Sequence, residues 1–552
     1  MRIALAQLNY HVGNFEYNTA ASIRAIQEAK EKGADIVVFP EMSVCGYPAG
    51  DLLFSDAFIR ECLRRVDEIA EACRGVAAIV GTPAFNPEPN GKRLRNAAFL
   101  LEKGEIRGSY HKGLMPTYDV FNEYRYFEPA TDFHTIPFKG RRIGLTVCED
   151  IWNLHNQGMY AINPPDELIR EDPDVLINIS ASPFAWNHGS NRLQVLSENA
   201  RTYQLPLFNA NLLGGQTDLI FEGGSAVFNP AGELTDLMPS FSEALRVYDL
   251  NEVLKGRGKD IPGVPGNEAK YRLMMDALVF GLKDYFRKTG LKKAVLGLSG
   301  GIDSAVSLVL AERALGKENV WAVLLPGPHS SDHSVSDAVS LADNLGVRYD
   351  MISINESVSA FENTLAPLFD QTKSCIAEEN IQARARAVVL MGLSNKFGHL
   401  LLNTSNKSEA AVGYGTLYGD MCGGLSVLGD VYKTEVYGMA RLINSKQETI
   451  PENTITKPPS AELRPDQKDS DSLPEYGVLD EILYKFIERG MDAASIVESG
   501  HDSATVRKVL RLVTGSEHKR RQSPPVLRVS AKCLGAGREM PLEASYGAIL
   551  NC

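Results

Sequence analysis

The stretch AVLGLSGGIDSAVSLVLAERALG, residues 294–316, decides the fold of the second half of the chain. An apolar, β-rich run ends at Ser299, two adjacent glycines follow, and a helix-like apolar pattern begins near Asp303. The glycines allow the backbone to turn tightly, and the N–H groups that open a helix attract anions. The stretch therefore predicts a strand, a turn and a helix, with phosphate bound at the turn.

Side chains of the same turn support a phosphate site. Ser299 and Ser304 can donate hydroxyl hydrogen bonds, and Asp303 places a carboxylate where Mg²⁺ could bridge to phosphate oxygens. The Walker phosphate loop requires a lysine after its last glycine, and none follows here. An ordinary glycine turn is the alternative, and the serines and the aspartate favour the phosphate site over it.

The composition of the chain is typical of a multidomain enzyme. Its 552 residues are too many for one core, and its formal net charge of −12 argues against duplex nucleic acid or an anionic membrane as a partner. No run reaches the roughly 20 apolar residues that span a bilayer, and the N-terminus becomes polar too early for a signal peptide. The eight cysteines form no C-x-x-C pair, which favours a reducing cytoplasm and argues against structural zinc. We therefore expect a cytoplasmic enzyme.

Short β-rich runs alternate with amphipathic helical patterns in the first half. RIALAQL, ADIVVFPE, RIGLTVCED and DVLINIS are predicted strands, and NTAASIRAIQEAKEKG is a predicted helix. This alternation predicts a layered α/β fold of two packed sheets with helices outside. Around residues 253–269 the periodicity fails and glycine and proline gather. We therefore expect domains at 1–252 and 270–552, joined by a linker at 253–269.

Strands and helices also alternate after this boundary. VWAVLLPG, RYDMISI and HLLLNT are predicted strands, and KYRLMMDALVFGLKDYFRKTG and NIQARARAVVLMGLSNKFG are predicted helices. The pattern predicts a doubly wound parallel sheet with ligand loops at the carboxyl ends of the strands. The segment KPPSAELRPDQKDSDSLPEY, from Lys457, is polar and proline-rich, and we expect it to be a long functional loop or lid.

Five segments of the second half occur in a recognisable order: SGGIDS, ENIQARAR, NTSNKSE, YGTLYGD and KPPSAELRPDQKDSDSLPEY. Together they resemble the NAD synthetase family of pyrophosphate-loop amidotransferases over essentially residues 270–540. SGGxDS alone would also admit GMP synthetases, asparagine synthetases and tRNA-thiolating enzymes, and the later segments narrow the resemblance. It implies an adenine nucleotide alpha hydrolase-like fold, in which ATP adenylates the nicotinate carboxylate of deamido-NAD and ammonia then displaces AMP.

The resemblance also implies roles for single residues around ATP. Asp303 and Glu409 would hold Mg²⁺, Lys433 would act on the phosphates as a point charge, and Thr404 would contact the nucleotide. Charge that develops on the departing pyrophosphate would thus be neutralised. The implied ATP-binding residues are Gly297, Leu298, Ser299, Gly300, Gly301, Ile302, Asp303, Ser304, Thr404 and Lys433.

A second set of residues is implied to bind deamido-NAD. It consists of Asn380, Glu409 and Lys532. The segment Asn406–Ser408, directly before Glu409, could equally be only a helix cap.

Three chemically useful side chains lie at or near the ends of apolar strands in the first half. Glu41 follows DIVVFP, Lys112 lies in SYHKGLMP, and Cys148 follows RIGLTV. A thiol beside a base and a cation is a workable nucleophile for an amide carbonyl. Each residue alone has a structural alternative, because buried cysteines are usually inert and a glutamate after a strand is usually a cap or a surface charge.

As a set, the segments FPEMSVCGYP, YHKGLMP and TVCEDIW resemble the three signature regions of the nitrilase superfamily, over roughly residues 1–250. The resemblance implies an α-β-β-α sandwich that cleaves carbon–nitrogen bonds. Glu41 would be the general base and Cys148 the nucleophile, while Lys112 and the N–H after Cys148 would stabilise the oxyanion. Glu123 matches a second glutamate that supports the lysine in this superfamily.

The resemblance extends to the binding of glutamine. Tyr118 and Ser182 match positions that hold glutamine in glutamine-dependent NAD synthetases, and with Glu123 and His188 they form the predicted glutamine-binding set. Six residues after this serine the family commonly carries Lys or Arg, whereas this chain has His188. Either His188 or a neighbour such as Arg192 takes over the contact with the glutamine carboxylate, or glutamine is bound more weakly.

The two halves explain each other. The first would release ammonia from L-glutamine, and the second would consume it on an activated carboxylate. Ammonia at neutral pH is mostly ammonium and not nucleophilic, so we expect a sheltered passage between the two sites. The resemblance further implies small-molecule substrates (deamido-NAD, ATP and L-glutamine) and a homo-oligomer, with neither nucleic acid nor membrane as partner.

Three other functions stay open at the level of the sequence. A related glutamine-dependent synthetase could act on a different carboxylate, because the later segments alone identify the substrate. A nitrilase or carbamoylase could carry a nucleotide-binding regulatory half. A scaffold that senses adenine nucleotides would not be an enzyme at all.

Overall fold

The computed structural model describes residues 1–155, 158–369, 373 and 375–550. The chain divides into two compact units, Met1–Val264 and Pro265–Cys552, and the division falls inside the predicted linker 253–269. Both ends of that predicted linker are helical, since one helix ends at Lys255 and the next begins at Asn267.

Strands dominate the first unit. In chain order they are β1 Arg2–Gln7, β2 Ile36–Val38, β3 Ala77–Phe85, β4 Leu94–Glu102, β5 Glu105–His111, β6 Ile136–Phe138, β7 Arg141–Val147, β8 Val175–Ser180, β9 Leu207–Asn211, β10 Leu213–Gln216, β11 Leu219–Glu222, β12 Ala226–Phe228, β13 Leu234–Leu237 and β14 Ala244–Asp249. The helices are α1 Phe15–Glu31, α2 Asp56–Ala72, α3 Pro164–Ile169, α4 His188–Tyr203 and α5 Leu250–Lys255. Short helical turns occur at Gly50–Phe54, Glu123–Arg125 and Cys148–Ile151.

Two six-stranded sheets organise this unit. Their strand orders are β14-β1-β2-β3-β4-β5 and β13-β12-β9-β8-β7-β6. The central strands run parallel in both sheets, β1 to β2 to β3 in one and β7 to β8 to β9 in the other. The outer strands pair antiparallel, and β10 and β11 form a separate hairpin.

Alternating apolar side chains explain the layers of the unit. In β1, Ile3 and Leu5 belong to a core shared with β7, β8 and β9 of the other sheet, whereas Ala4 and Ala6 belong to a core shared with α1 and α2. Helix α4 covers the outer face of the second sheet, for example through Leu196. Successive residues of a strand point to opposite faces, so a strand buried on both faces serves two cores. The predicted α-β-β-α sandwich is confirmed.

Helices and parallel strands alternate in the second unit. The strands are β15 Ala294–Gly297, β16 Val320–Leu324, β17 Arg348–Met351, β18 Leu400–Asn403 and β19 Leu425–Ser426. The helices are α6 Asn267–Thr289, α7 Ile302–Leu315, α8 Asp332–Leu345, α9 Asn355–Phe369, α10 Ile376–Phe397, α11 Lys407–Val412, α12 Lys433–Ile443, α13 Glu452–Thr456, α14 Tyr476–Leu483, α15 Ala493–Glu498, α16 Ser503–Gly515 and α17 Glu517–Arg520. Short helical turns occur at Lys317–Asn319, Asp469–Asp471, Tyr484–Glu488 and Gly547–Leu550.

One parallel sheet positions the site of the second unit. Its strand order is β17-β16-β15-β18-β19. The chain runs outward from β15 to β17 and then returns to β18 on the other side of β15, so the order reverses beside β15. Ligands of such sheets bind at the carboxyl ends of the strands near this reversal. The glycine turn that follows β15 lies at that place, and the predicted doubly wound parallel sheet is confirmed.

A further apolar core supports helix α11. Residues of α14, α15 and α16 pack with Ala411 and Val412 of α11 in this core. The packing fixes the helix that carries Glu409. Throughout the described part of the chain, the structure contains no helix with the length and hydropathy needed to cross a bilayer.

Candidate active sites

The carboxylates of Glu41 and Glu123 hold the ammonium group of Lys112 inside the first unit. Lys112 Nζ lies 2.9 Å from Glu41 Oε1 and 2.8 Å from each carboxylate oxygen of Glu123. Lys112 and Glu41 are fully buried, and Glu123 is 4% exposed. A buried ammonium group needs such partners, because an unpaired charge is costly away from water. Glu123, which the resemblance also placed in the glutamine-binding set, is thus a direct partner of the lysine.

Two residues outside the predicted set complete this cluster. Asn96 donates Nδ2 to Glu41 Oε1 at 2.7 Å, and Tyr47 donates its hydroxyl to Glu123 Oε1 at 3.0 Å. The second oxygen of Glu41 accepts the N–H of Ala181 at 3.0 Å. Each carboxylate is therefore held in a fixed orientation. The sequence signal for Asn96 is weak: an amide side chain within the apolar strand β4.

Cys148 lies at a strained turn between a strand and a helix. Strand β7 ends at Val147, and the helical turn Cys148–Ile151 follows directly. Cys148 has φ = 47°, in the left-handed region that residues other than glycine seldom adopt. Strain of this kind clusters at functional sites. The N–H of Glu149 belongs to the first helical turn, where N–H groups have no partner within the helix.

The charges of Lys112 and of its carboxylate partners shift the pKa of the Cys148 thiol. Burial raises the pKa of Cys148 well above its usual range, Glu41 raises it further, and Lys112 lowers it. Burial would lower the pKa of Lys112, but the carboxylates of Glu123 and Glu41 hold that pKa well above its usual range. Burial raises the pKa of Glu123 to about 7, although the charge of Lys112 opposes this. The thiol therefore stays protonated near neutral pH and needs a base during attack, while Lys112 keeps its charge.

The other predicted glutamine-binding residues form two small groups. Tyr118 donates its hydroxyl to both carboxylate oxygens of Glu149 at 3.0 Å, and burial raises the pKa of Glu149. Ser182 Oγ lies 3.1 Å from His188 Nε2. The ring of His188 stacks on Trp152 with centroids 5.5 Å apart and an interplanar angle of 4°. The backbone N–H of Glu149 was predicted to face the oxyanion, but its side chain was not predicted, although it directly follows Cys148 in the TVCEDIW segment.

Arg192 is buried inside the first unit. It is 4% exposed and forms an ion pair with Glu222, with 3.1 Å between Nη2 and Oε1. It also donates Nη1 to the carbonyl oxygen of Gly224 at 3.2 Å. Of the two candidates that the sequence left open for the basic glutamine contact, His188 is thus the one beside Ser182.

A cavity of about 1060 Å³ opens beside the turn that follows β15. The ends of β16 and β18 and residues 457–469 also line it. Ser299 Oγ and Ser304 Oγ lie 3.1 Å apart and steady the turn. The predicted nucleotide- and metal-binding residues that line the cavity are Gly297, Leu298, Ser299, Gly301, Ile302, Asp303, Ser304, Thr404, Glu409 and Lys433.

Gly300 has a different position from the rest of the turn. It is outside the cavity lining and has φ = 79°. A Cβ atom at this position would lie 2.1 Å from the carbonyl oxygen of Ser334. Glycine is therefore required both by the backbone conformation and by the close approach of the turn to α8.

Lys433 joins the two acidic residues that were predicted to hold a metal. Its Nζ lies 2.6 Å from Asp303 Oδ2 and 3.0 Å from Glu409 Oε1. Asn406 caps α11 by accepting the N–H of Glu409 at 3.0 Å, and donates Nδ2 to Asp303 Oδ1 at 2.9 Å. The helix cap is thus also part of the site, since it orients the carboxylate of Asp303.

The two carboxylates fit a magnesium ion that is shared with substrate phosphates. Burial raises the pKa of Glu409 to about 7, against the charge of Lys433 and with a further rise from Asp303. Within the described ranges, no group of three or more His, Cys, Asp or Glu side chains could hold a metal ion by itself. Mg²⁺ usually takes one or two carboxylates and completes its shell with phosphate oxygens and water. Asp303 and Glu409 suit that arrangement.

Two of the residues predicted to bind deamido-NAD lie outside the cavity lining. Asn380 Oδ1 accepts the hydroxyl of Thr416 at 2.7 Å, and the carbonyl oxygen of Lys532 accepts Nζ of Lys407 at 2.8 Å. Lys407 is fully buried and pairs with Asp430 at 3.0 Å. Lys407 is therefore structural, because it ties the segment around Lys532 to α11.

The segment from Lys457 is a loop that reaches the cavity, and its residues 457–469 line it. Its Glu462 accepts the hydroxyls of Ser331 and Ser334 at 2.8 and 2.7 Å. Lys457 Nζ lies 3.2 Å from Asp337 of α8. These contacts attach the loop to the start of α8, next to the glycine turn.

Comparisons with known proteins match both units. A family model described as carbon-nitrogen hydrolase matches residues 2–255, and one described as NAD synthase matches residues 274–523. The glutamine-dependent NAD(+) synthetase of Synechocystis sp. is 43% identical over 99% of this chain and 99% of its own length.

Solved structures agree with these matches. The glutamine-dependent NAD+ synthetase of Acinetobacter baumannii, in complex with ADP, has a TM-score of 0.77 and 38% identity, with 98% of each chain covered. A second structure, from Cytophaga hutchinsonii, has a TM-score of 0.84 at 22% identity over 100% of this chain and 99% of its own, and therefore supports the fold alone. Similarity of this extent across both halves shows that the chain belongs to the glutamine-dependent NAD(+) synthetase family.

Proposed function

We propose that the chain makes NAD from deamido-NAD, ATP and L-glutamine. The observation that carries this proposal is the presence, in one chain, of the Glu41–Lys112–Cys148 set and of a cavity at a phosphate turn. Hydrolysis of glutamine supplies ammonia, and ATP activates the carboxylate that receives it. Relatives that match along the whole chain do not favour a different carboxylate, a regulatory second half or a non-enzymatic scaffold.

Hydrolysis of glutamine begins at Cys148. Glu41 takes the thiol proton while Sγ attacks the amide carbon, and Lys112 with the N–H of Glu149 stabilises the oxyanion. Glu41 returns the proton to the nitrogen as the carbon–nitrogen bond breaks and ammonia leaves. Water then attacks the thioester, with Glu41 again as base, and glutamate departs from the restored thiol. Glu123 keeps Lys112 charged and in place.

Two groups of side chains recognise glutamine: Glu149 with its tyrosine partners, and Ser182 with His188. The carboxylate of Glu149, which also accepts the hydroxyls of Tyr118 and Tyr160, offers negative charge for the α-ammonium group of the substrate. Ser182 and His188 offer hydrogen bonds to its α-carboxylate. An imidazole offers a single N–H where a guanidinium offers a fork, so we expect glutamine to bind more weakly than with an arginine at this position.

Adenylation takes place in the second unit. A carboxylate oxygen of deamido-NAD attacks the α-phosphorus of ATP, and pyrophosphate leaves into the Ser299–Ser304 turn. Ammonia then attacks the carbonyl carbon of the mixed anhydride, and AMP leaves. Asp303 and Glu409 would hold Mg²⁺, which would supply positive charge for the departing pyrophosphate. Lys433, whose ammonium group lies beside Asp303, adds a further positive charge for the departing pyrophosphate.

Deamido-NAD is the larger substrate of this unit. We propose Glu409 as its contact within the cavity lining, and Asn380 and Lys532 as contacts beyond that lining. Ammonia reaches the adenylate without equilibrating with bulk ammonium. Glutamine-driven turnover in the presence of isotopically labelled external ammonium tests this last step. Full equilibration of the label between external ammonium and the amide nitrogen of NAD would contradict it. A homo-oligomeric state and a cytoplasmic location stay predictions.

NAD formation by the full chain tests the proposed function. The assay contains deamido-NAD, ATP and MgCl₂ with either glutamine or ammonium chloride, and NAD, AMP and glutamate are measured together. We expect NAD and AMP in equal amounts with both nitrogen sources. If AMP release did not depend on deamido-NAD but did depend on another carboxylic acid, that acid would be the substrate instead.

A further inference from the structure

The carboxylate of Asp150 binds the main chain at two places in the first unit. Oδ1 accepts the N–H groups of Gly113 and Leu114 at 2.9 Å each, and Oδ2 accepts the N–H of Val147 at 2.9 Å. Asp150 is 2% exposed. One buried side chain thus connects a loop after β5 to the end of β7.

The connected main-chain groups adjoin two functional side chains. Gly113 directly follows Lys112, and Val147 directly precedes Cys148. We propose that Asp150 is a positioning residue that sets the distance between the ammonium group of Lys112 and the thiol of Cys148. This inference rests on the proposed role of that pair in glutamine hydrolysis.

A role as a helix cap does not account for all the bonds of Asp150. The cap of the helical turn Cys148–Ile151 needs only the bond from Val147. The bonds from Gly113 and Leu114 span 37 and 36 residues of sequence. The turn does not require these two bonds, and they hold the segment after Lys112 against the segment that carries Cys148.

The chemistry of the group suits this role. Burial raises the pKa of Asp150 to about 6, while the N–H groups of Val147 and Leu114 oppose the rise. The carboxylate is therefore mainly ionised at neutral pH and can accept three hydrogen bonds at once. An amide has a single acceptor oxygen, so Asp150→Asn would turn its NH₂ group toward at least one N–H donor.

Displacement of Lys112 relative to the thiol should slow attack on an amide substrate. A misplacement of about 1 Å can cost about 100-fold in rate. The expected effect is thus on the reactivity of Cys148 in each folded molecule. A merely structural role for Asp150 would instead lower the fraction of molecules that are folded.

Alkylation of Cys148 separates the two cases. The full chain is treated with iodoacetamide, which loses iodide to the thiolate of Cys148, and the peptide that contains Cys148 is followed by mass spectrometry. The charge of Lys112 favours this thiolate, so displacement of Lys112 should slow the reaction. The thiol of an unfolded chain is exposed and reacts rapidly, so the rate constant of the slow phase reports reactivity in the folded chain and the amplitude of that phase reports the folded population. Asp174→Asn is the matched control, because Asp174 also accepts a backbone N–H, from Arg142 at 2.8 Å, at the opposite end of β7.

In Asp150→Asn we expect the slow-phase rate constant and the kcat for glutamine hydrolysis to fall at least about 10-fold, with the slow-phase amplitude and ammonia-driven synthesis unchanged. Asp174→Asn should match the parent. If Asp150→Asn does not fold, Asp150→Glu keeps the charge and should give a smaller loss of the same kind. Parent-like rates in the folded variant, or a loss confined to the amplitude of the slow phase, would overturn the inference. A parent chain that does not hydrolyse glutamine would refute the proposed function instead.

Discussion

The ammonium group of Lys433 lies 2.6 Å from Oδ2 of Asp303 and so joins the first residue of α12 to the Ser299–Ser304 turn across 130 residues of sequence. The same ammonium group reaches Glu409 on α11 at 3.0 Å. Three elements that follow different strands therefore meet at one charge cluster. When Asp303 and Glu409 are both ionised, the two carboxylates and the ammonium group carry a net negative charge, which favours a divalent cation.

Asp303→Asn should abolish the synthesis of NAD without abolishing the hydrolysis of glutamine. The change removes one negative charge from the cluster and one partner of Lys433, so we expect synthesis to fall at least about 100-fold with either nitrogen source. Asp343→Asn, on the exposed side of α8, is the control. Normal ammonia-driven synthesis by Asp303→Asn would remove this residue from the proposed site.

Gly300→Ala should damage the phosphate turn. The added Cβ would lie 2.1 Å from the carbonyl oxygen of Ser334, and the backbone is in the left-handed region. Gly290→Ala is a matched control, because Gly290 has φ = 75° but nothing within 4 Å of its Cβ position. Strain in that conformation costs about 1–2 kcal/mol in either variant. We expect loss of ATP-dependent AMP release in Gly300→Ala alone, and equal activities would contradict the close approach.

Cys148→Ala should separate the two activities. The variant lacks the nucleophile, so glutamine should support neither glutamate release nor synthesis of NAD. Ammonium chloride should still support synthesis at a rate near that of the parent. The buried Cys62→Ala, on α2, provides the matched control. Glutamate release by Cys148→Ala would show that another group attacks the amide.

His188→Ala should weaken the binding of glutamine. Loss of a hydrogen bond to a charged group costs about 1.5–3 kcal/mol, so the KM for glutamine should rise roughly 10-fold or more. His188→Arg should keep or lower that KM, and Gln194→Ala on the exposed face of α4 should leave it unchanged. Measurement of glutamate release over a range of glutamine concentrations gives all three values. A parent-like KM in His188→Ala would place the carboxylate contact elsewhere.

Glutamine hydrolysis should gain rate as the pH rises through about 7. Burial raises the pKa of Glu123 to about 7, so this carboxyl group is protonated at lower pH and ionised at higher pH. The ionised form is the one that balances the charge of Lys112 beside Glu41. We expect kcat/KM for glutamine to reach half its maximum near pH 7, measured as glutamate release without ATP. A rate that stays constant between about pH 5.5 and 8 would contradict this assignment.

Much of the fold and the residue types of both sites could be predicted from local patterns. The alternation of strands and helices predicted a sandwich and a parallel sheet, because burial on both faces leaves a regular apolar pattern. The phosphate turn was also visible, since its glycines, serines and Asp303 lie within eight residues, 297–304. Gly300 is predicted to contact ATP, and the structure adds a constraint that local patterns do not show, since a Cβ atom there would lie 2.1 Å from the carbonyl oxygen of Ser334.

Groups that act through distant partners were not visible in this way. Lys407 and Lys433 both lie near the starts of helices, yet Lys407 is buried against Asp430 and Lys433 faces Asp303. Arg192 and His188 lie four positions apart on α4, and burial of Arg192 against Glu222 leaves His188 beside Ser182. Asp150 lies in the TVCEDIW segment, but two of its three hydrogen bonds come from residues that are 36 and 37 positions away.

The sequence by itself determined the classes of the two domains and the order of their motifs, and its resemblance to the nitrilase superfamily predicted Cys148 as the nucleophile. Strands, helices and motifs of this kind are visible within short segments of neighbouring residues. The tertiary structure decided which charges are paired, which are buried and which side chains share a cavity. Those outcomes depend on strand register and on helix packing over more than a hundred residues, as in the contact between Lys433 and Asp303.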